Sequence, residues 1–186
     1  MPDASDQADD EEPIVASSEL GAALREEWRA EQEEITRDAA EVWQHARTLL
    51  DVARDYMHRG DRVVVTAARH RASGVIIEVA RDRIAVFDAV SDTRVDVQVA
   101  DFVPLTMHVS ERARAGGRSG ARAESFRARL LELESSETAV AIATTHSGDR
   151  IIGTIAVGVD VVVVTGALGE TVVPLTAIAA AAPAGW

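Results

Sequence analysis

Two ten-residue stretches of this chain carry an aspartate at the same place. "IEVARDRIAV" (77–86) and "IAVGVDVVVV" (155–164) both read apolar-x-Val-x-x-Asp-x-Ile/Val-x-Val, so Asp82 and Asp160 occupy matching positions. Two carboxylates brought together could share a proton or hold a metal. Neither has a histidine or a second acid at a fixed spacing, however. An aspartate between two strands ordinarily bonds its own backbone in a tight turn, and the turn is the expected role. The five histidines, His45, His58, His70, His108 and His146, show no H-x-x-x-H or other metal-ligand spacing and are expected on surface loops. With no cysteine in the chain, disulfides, thiolate zinc sites and thiol nucleophiles are excluded. Arg59-Gly60-Asp61 reads as a helix stop, and "AGGRSG" lacks the lysine and the strand–loop–helix context of a phosphate loop. The sequence therefore predicts no catalytic residue, no metal, no cofactor and no enzyme.

The charged residues are more informative. Every one of the 19 basic residues is arginine, and the formal net charge is −12, which disfavours bulk attraction to nucleic acid or anionic lipid. The acids concentrate at the start: residues 1–19 hold Asp3, Asp6, Asp9, Asp10, Glu11, Glu12 and Glu19 and no base, and are expected to form a disordered acidic tail. A local basic segment stands against this background. Arg112, Arg114, Arg118 and Arg122 lie in or beside a Gly/Ser/Arg linker over 110–121, and such a segment can track phosphates.

The elements around these groups follow from periodicity. Residues 20–59 predict one long amphipathic helix, without proline, ended by Gly60. Trp28, Ile35, Val42 and Leu49 recur every seven residues, and Ala39 and Ala46 stand four after Ile35 and Val42. Such a stripe, large residues alternating with alanine, needs a partner and predicts self-association as a coiled coil. Residues 61–109 change period: "RVVVTAA", "GVIIEVA", "RIAVFDAV", "TRVDVQVA" and "FVPLTMHV" are five short strands parted by turn residues. A short helix over 122–135 follows the linker, and 137–182 repeats the β pattern in "TAVAIATT", "RIIGTIAVG", "VVVVTG", "ETVVPL" and "AIAAAA". With the two aspartates aligned and the following hairpin two residues longer in the first block, Val97 and Val99 match Val173 and Leu175, and Phe102 matches Ile178.

Gly148-x-x-x-x-Gly153-x-Ile155-x-x-x-x-Asp160, followed by an apolar strand, resembles the Sm1 motif of Sm-like proteins, and "VVPLTAI" (172–178) sits where their Sm2 motif would. The first block keeps Asp82 and, one position out of register, Gly74. The whole chain is similar to a high-GC bacterial family with an N-terminal helix and duplicated Sm-like (LSm-type) barrels. That resemblance implies an α+β, mainly β fold: a long N-terminal helix, then two five-stranded Sm-like small β-barrels, each preceded by a helix. It implies no base pocket. The asparagine after the Sm1 aspartate is absent in "DRIAV" and "DVVVV", and Pro174-Leu175 replaces the basic-Gly pair of Sm2.

The expected function is that of a cytoplasmic, non-enzymatic adaptor. It would be a homo-oligomer through Trp28, Ile35, Ala39, Val42, Ala46 and Leu49, would offer barrel edges or loops to a protein partner, and would have no membrane association. The alternative is a nucleic-acid-associated regulator, binding RNA or DNA through Arg112, Arg114, Arg118 and Arg122.

Overall fold

A computed structural model describes residues 13–113 and 125–186. The chain divides into two compact units, residues 1–47 and 48–186. Most of the expected acidic tail (1–12) and of the arginine linker (114–124) lies outside the described residues.

The first unit holds helix α1, Pro13–Ala46. It begins ahead of the expected start, with proline at its first position, where a missing N–H costs nothing. The predicted single helix over 20–59 is in fact two. Helix α2, Leu49–Arg59, has its own N-cap at Thr48, whose side chain accepts from Asp51 N while the Asp51 carboxylate accepts from Thr48 N at 3.0 Å. This reciprocal capping box is a strong start signal. Heptad spacing ran across it because Leu49 happens to continue the count. Gly60, at φ 74°, ends α2 in the left-handed conformation that glycine adopts at least cost.

The second unit is one antiparallel sheet of ten strands. They are β1 (Arg62–Ala67), β2 (His70–Val79), β3 (Arg83–Asp88), β4 (Thr93–Gln98), β5 (Leu105–Glu111), β6 (Val140–Thr144), β7 (Arg150–Val157), β8 (Val161–Gly166), β9 (Gly169–Pro174) and β10 (Ile178–Pro183), in the spatial order β5-β1-β2-β3-β4-β10-β6-β7-β8-β9. Helix α3, Phe126–Ser135, precedes β6.

This order corrects the expected pair of Sm-like barrels. A barrel requires the first five strands to close on themselves, but β4 pairs with β10 through Ala180↔Val97 and Ala181↔Asp96. The sheet is therefore open and continuous, with β5 and β9 as its edges. Alternating strands satisfy a closed barrel and an open sheet equally well, so hydrophobic pattern could not separate the two.

Within the sheet the two halves pair alike. In each, four strands meander and the fifth returns beside the first: β5 on β1, β10 on β6. Ile84↔Val97 and Ala85↔Asp96 have counterparts in Val162↔Val173 and Val163↔Val172. Ala80 N donates to Arg83 O as Gly158 N does to Val161 O, and Val99 N donates to Asp82 O as Leu175 N does to Asp160 O. A bulge in β2 between Ile76 and Glu78 inserts a residue, which explains why Gly74 seemed one place out of register with Gly153. Both glycines allow a close backbone crossing. A Cβ on Gly74 would stand 1.8 Å from Phe87 O, and one on Gly153 would stand 2.3 Å from Thr165 O. The match of Phe102 with Ile178 fails. Phe102 is exposed in a turn while Ile178 opens β10 and is buried. The counterpart of Ile178 is Leu105, because Pro104 O accepts from Ala68 N as Ala177 O accepts from Thr145 N.

Two cores result. The first gathers Met57, Val63, Ile76, Ile84, Val95 and Val97 with Ala141, Ala143, Ala180 and Ala182; the second gathers Phe126, Leu130, Leu133, Val140, Ile142, Val162 and Ile178 with Ala181. β6 and β10 thus feed alternate residues to opposite cores. That is the physical meaning of the run "AIAAAA": strands covered on both faces, with side chains short enough for two cores to meet.

Candidate functional site

The predicted oligomerisation stripe is now divided between units. Trp28, Ile35, Ala39, Val42 and Ala46 lie on α1, and Leu49 lies on α2. Within the first unit Trp28 is 64% exposed, Ile35 53% and Val42 69%. Beside them the Arg47 guanidinium stacks over the Trp43 ring at 4.3 Å. On α2 the adjoining stripe turns inward: Ala53 and Met57 are buried, with Leu50 and Tyr56 packed at the margin of the first core.

Of the predicted nucleic-acid contacts, Arg112 is exposed, next to Ala113, whose N–H bonds Asp61 Oδ1 at 3.0 Å. Arg114, Arg118 and Arg122 lie outside the described residues.

Asp82 and Asp160 do not meet. The Asp82 Oδ1 accepts from Phe126 N at 2.9 Å, while Asp160 is exposed. Asp82 therefore serves the first turn of α3, where Ser125 Oγ also accepts from Ala128 N at 3.1 Å. Of the histidines, His70 is buried rather than on the surface, with Nε2 3.0 Å from Ser147 O. Among the described residues no group of three His, Asp or Glu could hold a metal ion, and no helix is long and apolar enough to cross a membrane.

The chemistry that pattern reading missed is a buried ion network beneath α3. Arg83, wholly buried, bonds Glu78 through Nη2 and Asp96 through Nη1. Arg94 Nη2 reaches Glu78 Oε2 at 2.7 Å and Asp96 Oδ1 at 3.0 Å, and Arg129 of α3 reaches Asp96 Oδ2 at 2.9 Å and Glu132 at 2.7 Å. Three guanidinium groups thus face three carboxylates, so the charges balance around a wholly buried Arg83–Asp96 pair, with Glu132 at the exposed margin. Asp96 accepts from all three arginines and is 0% exposed. The signal was present: Arg94, Asp96 and Gln98 alternate with Val95 and Val97 on β4, giving that strand one polar and one apolar face. Periodicity alone assigned the polar face to solvent, and only α3 shows that it is covered.

Elsewhere carboxylates are held ionised by geometry. The main-chain amide of Ala113, against the opposing effect of burial, keeps Asp61 below the ordinary carboxylate value. Burial pushes Asp88 up, but the amides of Ser73, Ser91 and Val90 outweigh it and the net shift is downward.

Nothing in these groups assembles a nucleophile, a base and an anion hole around one point. What the structure leaves open is surface: the α1 stripe and the two edges of the sheet. No protein-family model matches this chain, and no curated protein is similar to it.

Proposed function

We propose that this protein is a non-enzymatic adaptor built from a duplicated five-strand unit, which pairs with copies of itself through α1 and takes a strand from a protein partner at β9. The observation that carries the reading is the contrast between equivalent strands. β4 is flanked at its edge by β10 and covered on one face by α3. β9 has β8 on one side only, and its Val172, at the register position of Asp96, is 62% exposed. A bare edge rich in Val and Thr is a template for strand addition. The shared registers and matched turn hydrogen bonds support the duplication. For α1 the occupant is a second α1. Ala39 and Ala46 let two backbones approach while Trp28, Ile35 and Val42 cover one another.

Light scattering tests the self-association: wild type heavier than the 19.9 kDa monomer, and Ile35→Asp with Val42→Asp reduced to it. A monomeric wild type, or an assembly indifferent to both changes, overturns that part. Capture from an extract of the native host tests the edge: the partner should be lost with Thr171→Pro and retained with Thr106→Pro in β5. The alternative, a nucleic-acid-associated regulator, has Arg112 as the one predicted contact residue that lies among the described residues. Co-purified nucleic acid released by moderate salt, and lost when the linker arginines become serine, would favour it.

A further inference from the structure

A cleft of about 510 Å³ opens where the halves meet, away from the α3 network. The hairpin between β1 and β2 and the hairpin between β6 and β7 are tied together by the His70 Nε2 to Ser147 O contact of 3.0 Å. That tie brings Arg71 of β2 and Arg150 of β7 to one cavity, whose wall also holds Ser73, Asp88, Ser91 and Trp186. The size lies within the range of small-molecule sites, and the lining mixes an aromatic ring with a few polar groups, as such sites do.

The two arginines are differently prepared. Arg150 lies over the Trp186 ring, its guanidinium carbon 4.0 Å from the centroid, and Nη1 donates to the main-chain oxygen of Trp186. The ring and that oxygen fix the plane of the guanidinium while most of its five N–H donors stay uncommitted. Arg71 is exposed, and among the described residues its guanidinium forms no ion pair or hydrogen bond. Arg69 runs beside Gly148 at the same end of the unit. Asp88 is the one side-chain carboxylate in the wall. Its Oδ2 accepts from Ser73 N at 2.9 Å and its Oδ1 from Val90 N at 2.8 Å and Ser91 N at 3.1 Å. It is therefore committed to the turn and not to either arginine.

We infer that this cleft binds a small oxyanionic ligand, a compact molecule whose phosphate or carboxylate group bridges Arg71 and Arg150 beside Trp186. Both groups match the planar guanidinium fork. A polyanion does not suit the surroundings. The chain is acidic overall, Asp149 and Asp92 are exposed close by in sequence, and two arginines in a cleft give no stripe along which successive phosphates could run. The inference stands apart from the adaptor reading, since it uses neither α1 nor β9.

The test is isothermal titration of the full chain with inorganic pyrophosphate, with citrate and with a single-stranded oligonucleotide, at low and raised salt. One of the two small anions should saturate one site per chain, and which one does so separates a phosphate from a carboxylate ligand. Arg71→Ser and Arg150→Ser should each weaken binding about tenfold or more, while Arg81→Ser, on an exposed turn outside the cleft, should not. Because Arg71 has no partner to lose, its variant should keep the wild-type circular dichroism and melting curve. The inference is overturned if neither small anion saturates, if Arg71→Ser binds as wild type, or if the oligonucleotide binds and neither small anion displaces it.

Discussion

Asp96 and Val172 stand at one register position in two equivalent strands, opposite Ala85 and Val163, yet one is wholly buried and the other largely exposed. The same pairing thus supports opposite environments, and the neighbours decide which. α3 lies over β4 and supplies Arg129 to Asp96. On β9 the helix meets the opposite face, where Val173 is buried with Phe126, Leu130 and Leu133, and the face of Val172 stays exposed. Glu78 and Arg83 likewise face Ala156 and Val161 as their counterparts. Among the described residues the charged cluster thus lies on the face that α3 closes over and whose hydrogen bonds it completes; the matching face of the second half, which α3 leaves open while it packs on the other face, carries apolar residues instead. Burial of charge here depends on α3, not on strand geometry.

The largest way to break this comparison is Asp96→Ala. It would leave Arg83, wholly buried, and Arg94 and Arg129, partly buried, each with one acceptor fewer, at about 3–5 kcal/mol. Val172→Ala on the exposed strand should cost within about 0.5 kcal/mol. Urea unfolding of both variants would measure the difference; equal costs would mean that the network is not the anchor of the first half. Next come Gly74→Ala and Gly153→Ala. If the halves cross their strands alike, each added methyl should cost about 1–3 kcal/mol, or more where the backbone cannot yield. A harmless methyl at either site would show that the halves differ where their backbones coincide. Smaller still, Asp82→Ala should cost about 0.5–2 kcal/mol through the lost cap of α3, while Asp160→Ala, with no helix to cap, should leave the melting temperature almost unmoved. Acid should have the smallest effect. Asp61 and Asp88 have folded values below their ordinary 3.8. Their contribution is complete above that value and is lost as pH falls through the lowered ones. Asp88→Asn should therefore flatten the decline of the urea midpoint below pH 3.8 and leave the rest of the profile in shape.

Much of this was legible in the residues. The Val/Ile-rich runs are the ten strands, Gly60 stops a helix, and the two aspartates occupy matching turns in the two halves. The joint between the halves was not legible. Ala180 and Ala181 pair with Val97 and Asp96, but nothing in an alanine run states which edge it will meet. The break at Thr48 was written in Thr48 and Asp51, yet seven-residue spacing ran over it because Leu49 kept the count. Asp96 looked like a solvent-facing residue of a half-buried strand because its partners, Glu78, Arg83 and Arg129, are brought to it only by the folded chain. Local pattern reports which face of an element is polar; whether that face is wet depends on contacts distant in sequence.

The cap that Asp82 gives to α3 also sets an order of events. Phe126 N, at the first turn of the helix that opens the second half, finds its acceptor on a turn of the first. A chain made from its N-terminus exposes that turn before α3 exists, so the helix meets a finished cap and a waiting Asp96 as it emerges. The reverse does not hold, since no residue of the first half needs the second to begin its meander. A circular permutant opening at residue 125 would have to form α3 with its first turn unsatisfied. During synthesis its α3 should become resistant to proteolysis later than in the natural order, even where the two end equally stable.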